Sequence, residues 1–322
     1  MIPSDLKRLI DANLNRSVEG LRVLEDIARF IFNDSKLTGR IRDIRHLISE
    51  RDIEFDKKLI GARDVAGDVG LELPENKTRS LPQVIVANAH RVQESLRVLE
   101  EFAKSKEIGI DSEVFKNARF FAYEMEKELL GRVLRKDKKE ALKGLYIIID
   151  GTKGLSEEIA SGVVGALEFD DTGLSDREFL ALAKKTALDC RGRNILFIIK
   201  SRLDIALASM ADGLIVGDQD LPVEEARALM PLDMLLGVMT NNLDALRRAK
   251  DKGSDFGLLG FGPDLVDKVA LGGIKEDFPT VIKNVPSDNI KSLFLQGIMI
   301  AVSQQELSPD LIKCLQETGH AG

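Results

Sequence analysis

The sequence has few of the residues that mark small secreted, zinc-binding or membrane-inserted proteins. Its 322 residues include two cysteines, three histidines and no tryptophan. Cys190 and Cys314 lie far apart and form no CxxC pair, which argues against a disulfide framework or a zinc knuckle and suits a reducing compartment. No stretch approaches eighteen uninterrupted apolar residues and the N-terminal residues are polar, so a membrane span and a signal peptide are not expected. We therefore expect a cytoplasmic protein with no membrane partner.

Positive charge is also not in excess. The chain has 46 lysines and arginines against 53 aspartates and glutamates, a formal net charge of −7 and a pI near 5.3. No extended basic patch stands out, so nucleic acid is not an expected partner. A hydrophobic content of 44% with 31% charged residues is typical of a globular protein. The length leaves room for about two domains.

The first part of the chain has helical periodicity and an internal repeat. Residues 12–29 (ANLNRSVEGLRVLEDIAR) and 87–104 (ANAHRVQESLRVLEEFAK) are identical at ten of eighteen positions. Their apolar residues recur at spacings of three and four, as on one face of a helix. Similar patterns predict helices over 36–55 and 112–134, with a Gly-, Asp- and Pro-rich loop over 61–82. We predict an all-α helical bundle over 1–135, in which the two repeated helices pack about a local pseudo-twofold axis.

The pattern changes after a lysine-rich stretch, 136–143, which is typical of a linker or a solvated helix end. Short apolar runs, rich in β-forming residues, then alternate with helical patterns about every twenty residues. The eight runs are 145–150, 165–171, 194–201, 212–217, 234–240, 256–262, 280–285 and 297–303. Eight such units predict a (β/α)₈ TIM-type barrel over 144–322. An open doubly wound sheet of seven units is the alternative. The fold class is thus α plus α/β.

Four stretches of the barrel part are distinctive: the opening LYIIID, SRLDIALASMADGLIVGDQDLPVEEARALM (201–230), LLGVMTNNLDALRRAKDKGSDFGLLGFGP (235–263) and VPSDNIKSLFLQGIMIAVS (285–303). In these stretches the chain resembles thiamine-phosphate synthase. The resemblance implies a site at the carboxyl ends of the strands. It also implies the joining of a pyrimidine diphosphate to a thiazole phosphate, with Mg²⁺ and a carbocation-like transition state. Such chemistry needs cations, a metal and phosphate-binding backbone N–H groups.

At the strand ends, however, the sequence departs from the family pattern. Gln-x-Arg-x-Lys after the second strand is replaced by residues 168–172 (EFDDT), and Asn-Asp after the third by Lys200-Ser201. After the fourth strand only Asp220 is kept, a weak metal candidate. The Gly-Gly pair after the seventh is replaced by Lys283-Asn284, unless the Gly-Gly of 271–274 (LGGI) belongs there instead. Acidic residues oppose a diphosphate, so we predict a barrel that has lost synthase activity. An active synthase with a rearranged site is the alternative.

The helical part is similar to a domain often fused ahead of thiamine-phosphate synthase. The motifs are ANxxRxxExLRVLEE in both repeats, ARDxxGDVG (62–70) and RSLPQVIVANAHR (79–91). That domain is regarded as a helical, non-ribokinase type of hydroxymethylpyrimidine-phosphate kinase. The resemblance implies phosphoryl transfer from ATP, with Mg²⁺, to 4-amino-5-hydroxymethyl-2-methylpyrimidine phosphate. This pyrimidine phosphate is the expected small-molecule partner, and a homodimer is the expected assembly.

The repeats supply most of the candidate site residues. Arg16 and Arg91 are the best phosphate clamps, since arginine binds phosphate through two donors. Asn13 and Asn88 are candidates to bind the aminopyrimidine ring or to orient the arginines. In the loop between the repeats, Asp64 and Asp68 are candidate catalytic and Mg²⁺-binding carboxylates. Further candidates for substrate or phosphate binding are Arg63, Glu19, Glu94 and Arg119.

Other readings of the helical part remain open. Arg–Glu pairs at helical spacing are usually surface ion pairs, so we expect a structural role for Glu25 and Glu100. His90 has Asn15 as its counterpart in the first repeat, which suggests that no imidazole is required there. Without a Walker A motif the ATP site cannot be placed. A non-catalytic protein that binds pyrimidine or thiamine phosphates, or that assembles partners, is a third hypothesis.

Overall fold

The computed structural model describes residues 3–50, 53–63, 78–105, 111–150, 163–170, 173–262, 278–295, 298–303 and 313. The chain divides into two compact units, Met1–Leu134 and Arg135–Gly322. The first is helical and the second contains a closed barrel. Among the described helices, none combines the length and the apolar character needed to cross a membrane.

The helical unit is built from five helices. They are α1 (Ser4–Asp26), α2 (Ser35–Ser49), α3 (Ile53–Ile60), α4 (Leu81–Ala103) and α5 (Ser112–Ala141), with a π-helical segment, Ile27–Ile31, directly after α1. The single helix predicted over 36–55 is wrong in its extent. Helix α2 ends at Ser49 because Glu50 takes an extended conformation, with ψ of 107°. Residues 136–141 of the lysine-rich stretch continue α5.

The two repeated helices, α1 and α4, pack directly against each other. Gly20 makes this close approach possible, because a Cβ atom there would lie 2.7 Å from Val92 Cγ2 and 3.1 Å from the Asn88 carbonyl oxygen. Ser95, the counterpart of Gly20, is buried. Around this contact the repeats bury one shared apolar core, which includes Leu14, Leu21, Leu24, Val92, Leu96 and Leu99. Helix formation on each repeat is therefore stabilised mainly by burial of its apolar face.

The duplication extends beyond the repeated helix to the helix that follows it. Glu25, 1% exposed, accepts hydrogen bonds from Arg45 Nε on α2 at 2.8 Å and from Arg42 Nε at 3.3 Å. Glu100, 4% exposed, accepts two from Arg119 on α5, at 2.8 and 3.0 Å. Each repeat thus ends in a buried glutamate that holds the next helix through an arginine.

The charges of these buried glutamates are compensated. Burial by itself would raise the pKa of Glu25, but the hydrogen bonds and positive charge of its arginines outweigh burial, so the pKa is lowered. The pKa of Glu100 is lowered in the same way, with Arg119 as the largest opposing influence. Both carboxylates are consequently ionised at neutral pH, and both are paired with arginines of the next helix.

The second unit is a closed barrel of eight parallel strands in the order β1 to β8. The strands are β1 (Leu145–Asp150), β2 (Val164–Asp170), β3 (Leu196–Lys200), β4 (Gly213–Val216), β5 (Leu235–Thr240), β6 (Phe256–Gly260), β7 (Thr280–Lys283) and β8 (Met299–Ser303). The described helices of this unit, besides the end of α5, are α6 (Asp176–Gly192), α7 (Leu203–Ser209), α8 (Val223–Leu229), α9 (Leu243–Asp251) and α10 (Ser287–Leu295). The predicted (β/α)₈ barrel is confirmed, and because β1 pairs with β8 the open-sheet alternative is wrong.

Alternate residues of the strands fill the barrel interior, as period-two burial requires. One buried cluster includes Tyr146, Ile198, Phe256 and Leu258, while the other faces of the strands pack against the helices. Gly237 makes room for Phe256, whose ring atoms would overlap a Cβ atom on residue 237. The interior is therefore packed with side chains, and ligand chemistry is confined to the strand ends.

At the amino-terminal end of β6, Asp255 connects three segments of the barrel unit. It is 5% exposed and accepts hydrogen bonds from Arg135 Nε at 2.8 Å and from Arg227 Nη2 at 2.6 Å. The Leu236 backbone N–H donates to the same carboxylate at 2.9 Å. Asp255 therefore neutralises two arginines that have little access to water, which makes this cluster a structural centre of the unit.

Candidate active site

A cleft of about 520 Å³ lies between the two repeated helices. Its lining comes entirely from α1 and α4: Asn13, Arg16, Ala87, His90, Arg91, Glu94, Ser95 and Val98. Asn13 thus lies near Ser95, while Gly20 contacts Asn88 and Val92, so the helices run in opposite directions. This antiparallel crossing brings an arginine from each repeat into one cleft.

The guanidinium groups of Arg16 and Arg91 are available to a ligand. Arg16 is exposed and Arg91 is half-buried. Neither makes a hydrogen bond or ion pair with another residue in the part of the chain that the structure describes. Two arginines on rigid helices, with donors available toward one concave site, form a binding surface for an anion with several oxygens.

The arginines one helical step further along each repeat differ from this pair. Arg22 Nη1 lies 3.4 Å from Glu25, and Arg97 Nη1 donates to Glu100 at 2.9 Å. Both arginines also reach the next acidic residue on their helix. The repeat therefore contains two kinds of arginine: Arg22 and Arg97 pair with acidic residues three and four positions later on their own helix, whereas Arg16 and Arg91 line the cleft.

The two asparagines are equivalent in the repeat but differ in whether they line the cleft. Asn13 and Asn88 are both 8% exposed, and each donates from Nδ2 at 2.8 Å to the carbonyl oxygen four residues earlier in its helix, on Leu9 and Val84 respectively. Only Asn13 lines the cleft. The side-chain carbonyl of Asn13 is consequently the amide group available to a ligand, and Asn88 instead contacts Gly20 through its backbone oxygen.

Of the two candidate glutamates, only Glu94 lines the cleft; Glu19 is exposed outside it. The lining also includes His90, to which the sequence comparison between repeats assigned no role. His90 Nε2 lies 3.3 Å from Glu126 Oε1, and the other oxygen of Glu126 accepts a hydrogen bond from Gln93 at 2.6 Å. The partner on α5 is 36 residues away in sequence, so no local motif could have indicated this pairing.

The remaining candidates of the helical part lie elsewhere or outside the described residues. Arg119, a predicted phosphate-binding residue, donates from Nε and Nη2 to Glu100, and its side chain is 13% exposed. Arg63 binds Asp11 of α1 through two hydrogen bonds of 2.6 and 3.0 Å. Asp64 and Asp68 lie outside the described residues, as do 271–274 (LGGI) in the barrel part.

At the barrel's strand ends, the lysine at the end of β3, Lys200, forms an ion pair with an aspartate of β2. Lys200 Nζ donates to Asp170 Oδ2 at 2.6 Å. Burial by itself would lower the pKa of Lys200, but Asp170 outweighs it and the pKa is raised. The positive charge of Lys200 on the third strand is thus paired with Asp170 of the second strand.

Asp220, the retained aspartate of the family pattern, is also engaged by its neighbours. Its Oδ2 atom accepts hydrogen bonds of 2.7 Å from both the Gly217 backbone N–H and Ser201 Oγ. Over the described ranges, no group of three or more His, Cys, Asp or Glu side chains could hold a metal ion.

A buried acid lies beside this ion pair. Glu168, 2% exposed, accepts a hydrogen bond of 2.8 Å from the hydroxyl of Tyr146 inside the barrel. Burial raises the pKa of Glu168 to about 7, despite the opposing influence of Tyr146 and Lys200. Strand β7 ends at Lys283, as predicted, and Asn284 follows in a left-handed conformation with φ of 59°.

Comparison with known families separates the chain at the same place as the fold. The ThiD2 family matches residues 8–128, and the thiamine monophosphate synthase family matches residues 145–264. A solved thiamine phosphate pyrophosphorylase from Pyrococcus furiosus is 25% identical, with a TM-score of 0.48, over 57% of this chain and 96% of its own. The two family matches describe a ThiD2-type helical unit followed by a thiamine monophosphate synthase-type barrel.

Relatives that align over about 80% of the chain show the family to which it belongs. Thiamine-phosphate synthase of Nostoc sp. is 34% identical over 266 residues, which are 80% of this chain and 72% of the relative. Thiamine-phosphate synthase of Synechococcus sp. is 36% identical over 274 residues, 81% of this chain and 76% of the relative. The chain belongs to the thiamine-phosphate synthase family, and its biological context is thiamine biosynthesis.

Proposed function

We propose that the helical unit transfers a phosphoryl group from ATP to 4-amino-5-hydroxymethyl-2-methylpyrimidine phosphate, and that the barrel has lost synthase activity. The observation that carries the proposal is the pair Arg16 and Arg91, which line one cleft without ion-pair partners among the described residues. The protein is then a transferase of thiamine biosynthesis whose working site lies in its first 130 residues.

The cleft has the charge and shape that phosphoryl transfer to a phosphate requires. Such a reaction depends mainly on positioned cations that stabilise negative charge on the phosphoryl oxygens, with little covalent participation by the protein. Arg16 and Arg91 supply these cations from two helices whose mutual position is fixed by the Gly20 contact. Asn13 adds an uncharged polar group at the wall. The arginines would hold the acceptor phosphate and balance the charge that develops as the second phosphate is added.

ATP and Mg²⁺ belong to the proposal as donor and counter-ion. The carboxylates proposed to bind Mg²⁺ are Asp64 and Asp68, which lie outside the described residues, and the cleft contributes only Glu94. Mg²⁺ supplies charge neutralisation between the donor phosphates when it is bound. What the described residues do is bind and orient the acceptor, and no step is assigned to the metal.

Two features of the barrel support loss of synthase activity. Lys200 is bound to Asp170, and Asp220 is bound by Ser201 and Gly217. A diphosphate leaving group needs unpaired cations, a metal and backbone donors at these strand ends. The match to the synthase family also ends at residue 264, before β7. The barrel would then have a structural or assembly role.

An active synthase is the second candidate function, and the names of the relatives favour it. Proteins that are 34–36% identical over about 80% of this chain are thiamine-phosphate synthases. Under this hypothesis the barrel would join the pyrimidine diphosphate to thiazole phosphate with a rearranged set of side chains, and the helical unit would supply the diphosphate.

The first experiment measures ADP release by the full chain with ATP, Mg²⁺ and the pyrimidine monophosphate. Arg16→Ala and Arg91→Ala each remove a charge-assisted hydrogen bond of about 1.5–3 kcal/mol, so we expect losses of about ten- to a hundredfold. Arg22→Ala and Arg97→Ala are matched controls on the same helices and should keep wild-type rates. Unchanged rates in the first pair would refute the site assignment. A parallel assay with the diphosphate and thiazole phosphate decides between the two functions of the barrel.

A further inference from the structure

His90 is a cleft residue to which the proposed phosphoryl transfer gives no role. It lies one residue before Arg91 on α4, lines the cleft and is substantially exposed, with 55% of its side chain accessible. Its counterpart in the first repeat is Asn15, which does not line the cleft. The repeats are therefore functionally unequal at this position, although they are equal at the arginines.

Glu126 places a carboxylate beside the imidazole of His90. Glu126 Oε1 lies 3.3 Å from His90 Nε2, and Oε2 is bound to Gln93 at 2.6 Å. Gln93 is 7% exposed, so this contact anchors the carboxylate from the protein interior. A carboxylate beside one ring nitrogen favours the proton on that nitrogen and leaves the other as a lone-pair acceptor. Nδ1 is thus the ring nitrogen available to a ligand as a hydrogen-bond acceptor.

The proposed substrate carries a donor suited to this acceptor. Its amino group and its phosphate-bearing arm are on adjacent ring atoms, so a phosphate held by Arg91 brings the amine within a few ångströms of the same helix. An acceptor at this position discriminates against a ligand that lacks the donor by the net value of one hydrogen bond, since an accessible ring nitrogen otherwise bonds to water.

We infer that His90, positioned by Glu126, is a specificity-determining residue of the cleft that accepts a hydrogen bond from the amino group beside the phosphate arm of the pyrimidine. The inference rests on the proposed function, because it uses the same cleft and the same substrate. It assigns His90 a binding role and Glu126 a positioning role, and it predicts that the two act on the amino group and not on the phosphate.

The test uses two ligands and one phosphate probe on the full chain. Calorimetric titration gives the dissociation constants of the pyrimidine monophosphate and of its analogue with hydrogen in place of the amino group. We expect the analogue to bind wild type about tenfold more weakly, which is the factor for one ordinary hydrogen bond. In His90→Phe this ratio should fall to about one, and in Glu126→Gln it should fall toward one. Inorganic pyrophosphate should bind these two variants as it binds wild type.

The controls distinguish failure of this inference from failure of the proposed function on which it rests. His46→Phe changes an exposed histidine on α2 outside the cleft and should keep the tenfold ratio. A ratio that persists in His90→Phe, or a wild-type ratio of one, would overturn the role of His90 while Arg91→Ala still weakens pyrophosphate binding. If Arg91→Ala has no effect on pyrophosphate binding, the proposed site itself fails, and this inference fails with it.

Discussion

Replacing Glu168 with glutamine should stabilise the barrel, and only at high pH. The carboxyl is 2% exposed, and burial raises its pKa from the usual 4.5 to about 7. Below pH 4.5 the group is protonated in both folded and unfolded chains. Between pH 4.5 and 7 the unfolded chain releases the proton and the folded barrel keeps it, so the free energy of unfolding falls as pH rises. Above pH 7 the folded barrel bears the full cost of a buried charge.

The magnitude follows from the same values. One pKa unit corresponds to about 1.4 kcal/mol, so the rise of the Glu168 pKa from 4.5 to about 7 corresponds to about 3 kcal/mol. Glutamine is neutral at every pH, has the same shape and can still accept the hydrogen bond from Tyr146. Glu168→Gln should therefore match wild type near pH 4.5 and exceed its stability by about 3 kcal/mol at pH 8.

Urea unfolding at pH 4.5 and pH 8 measures this difference, with hydrogen exchange of peptides from β1, β2 and β3 as the readout specific to the barrel. Glu225→Gln, an exposed substitution on α8, is the matched control and should leave stability unchanged at both pH values. A stabilisation by Glu168→Gln that is equal at the two pH values, or no stabilisation at pH 8, would refute the assignment of a buried, proton-sharing carboxyl to this position.

Two further substitutions test the packing of each unit. Gly20→Leu should destabilise the helical unit by about 1–3 kcal/mol because the side chain overlaps the facing helix, whereas Gly39→Leu, on an open surface of α2, should not; thermal unfolding would contradict the packing if the two behaved alike. Asp255→Ala should cost the barrel about 3–5 kcal/mol, since Arg135 and Arg227 lose their shared carboxylate. A loss below about 1 kcal/mol in urea unfolding would show that these arginines find other partners.

The fold was largely predictable from periodicity. Each of the eight strands begins and ends within two residues of an apolar run, because a strand buried on both faces has a nearly continuous apolar sequence. The helix ends were less predictable. Nothing in the apolar spacing of 36–55 indicates that Glu50 leaves the helical conformation, and α5 continues to Ala141 through lysines that are compatible with a helix or a linker.

The candidate site was predictable only in part. The repeat singled out Arg16 and Arg91 as phosphate clamps, whereas Arg22 has acidic residues three and four positions later on its own helix and pairs with them. That Arg16 and Arg91 line one cleft depends on the antiparallel packing of α1 on α4, which local spacing does not show.

The most direct test of the central claim is one ³¹P NMR experiment on the unmodified full chain. The sample contains ATP, Mg²⁺, the pyrimidine monophosphate and thiazole phosphate together. A helical unit that phosphorylates the pyrimidine, joined to a barrel without synthase activity, predicts that the pyrimidine diphosphate accumulates while the thiazole phosphate signal stays constant. Conversion of the thiazole phosphate to thiamine phosphate would contradict the account of the barrel, and an unchanged pyrimidine monophosphate signal would contradict the account of the cleft.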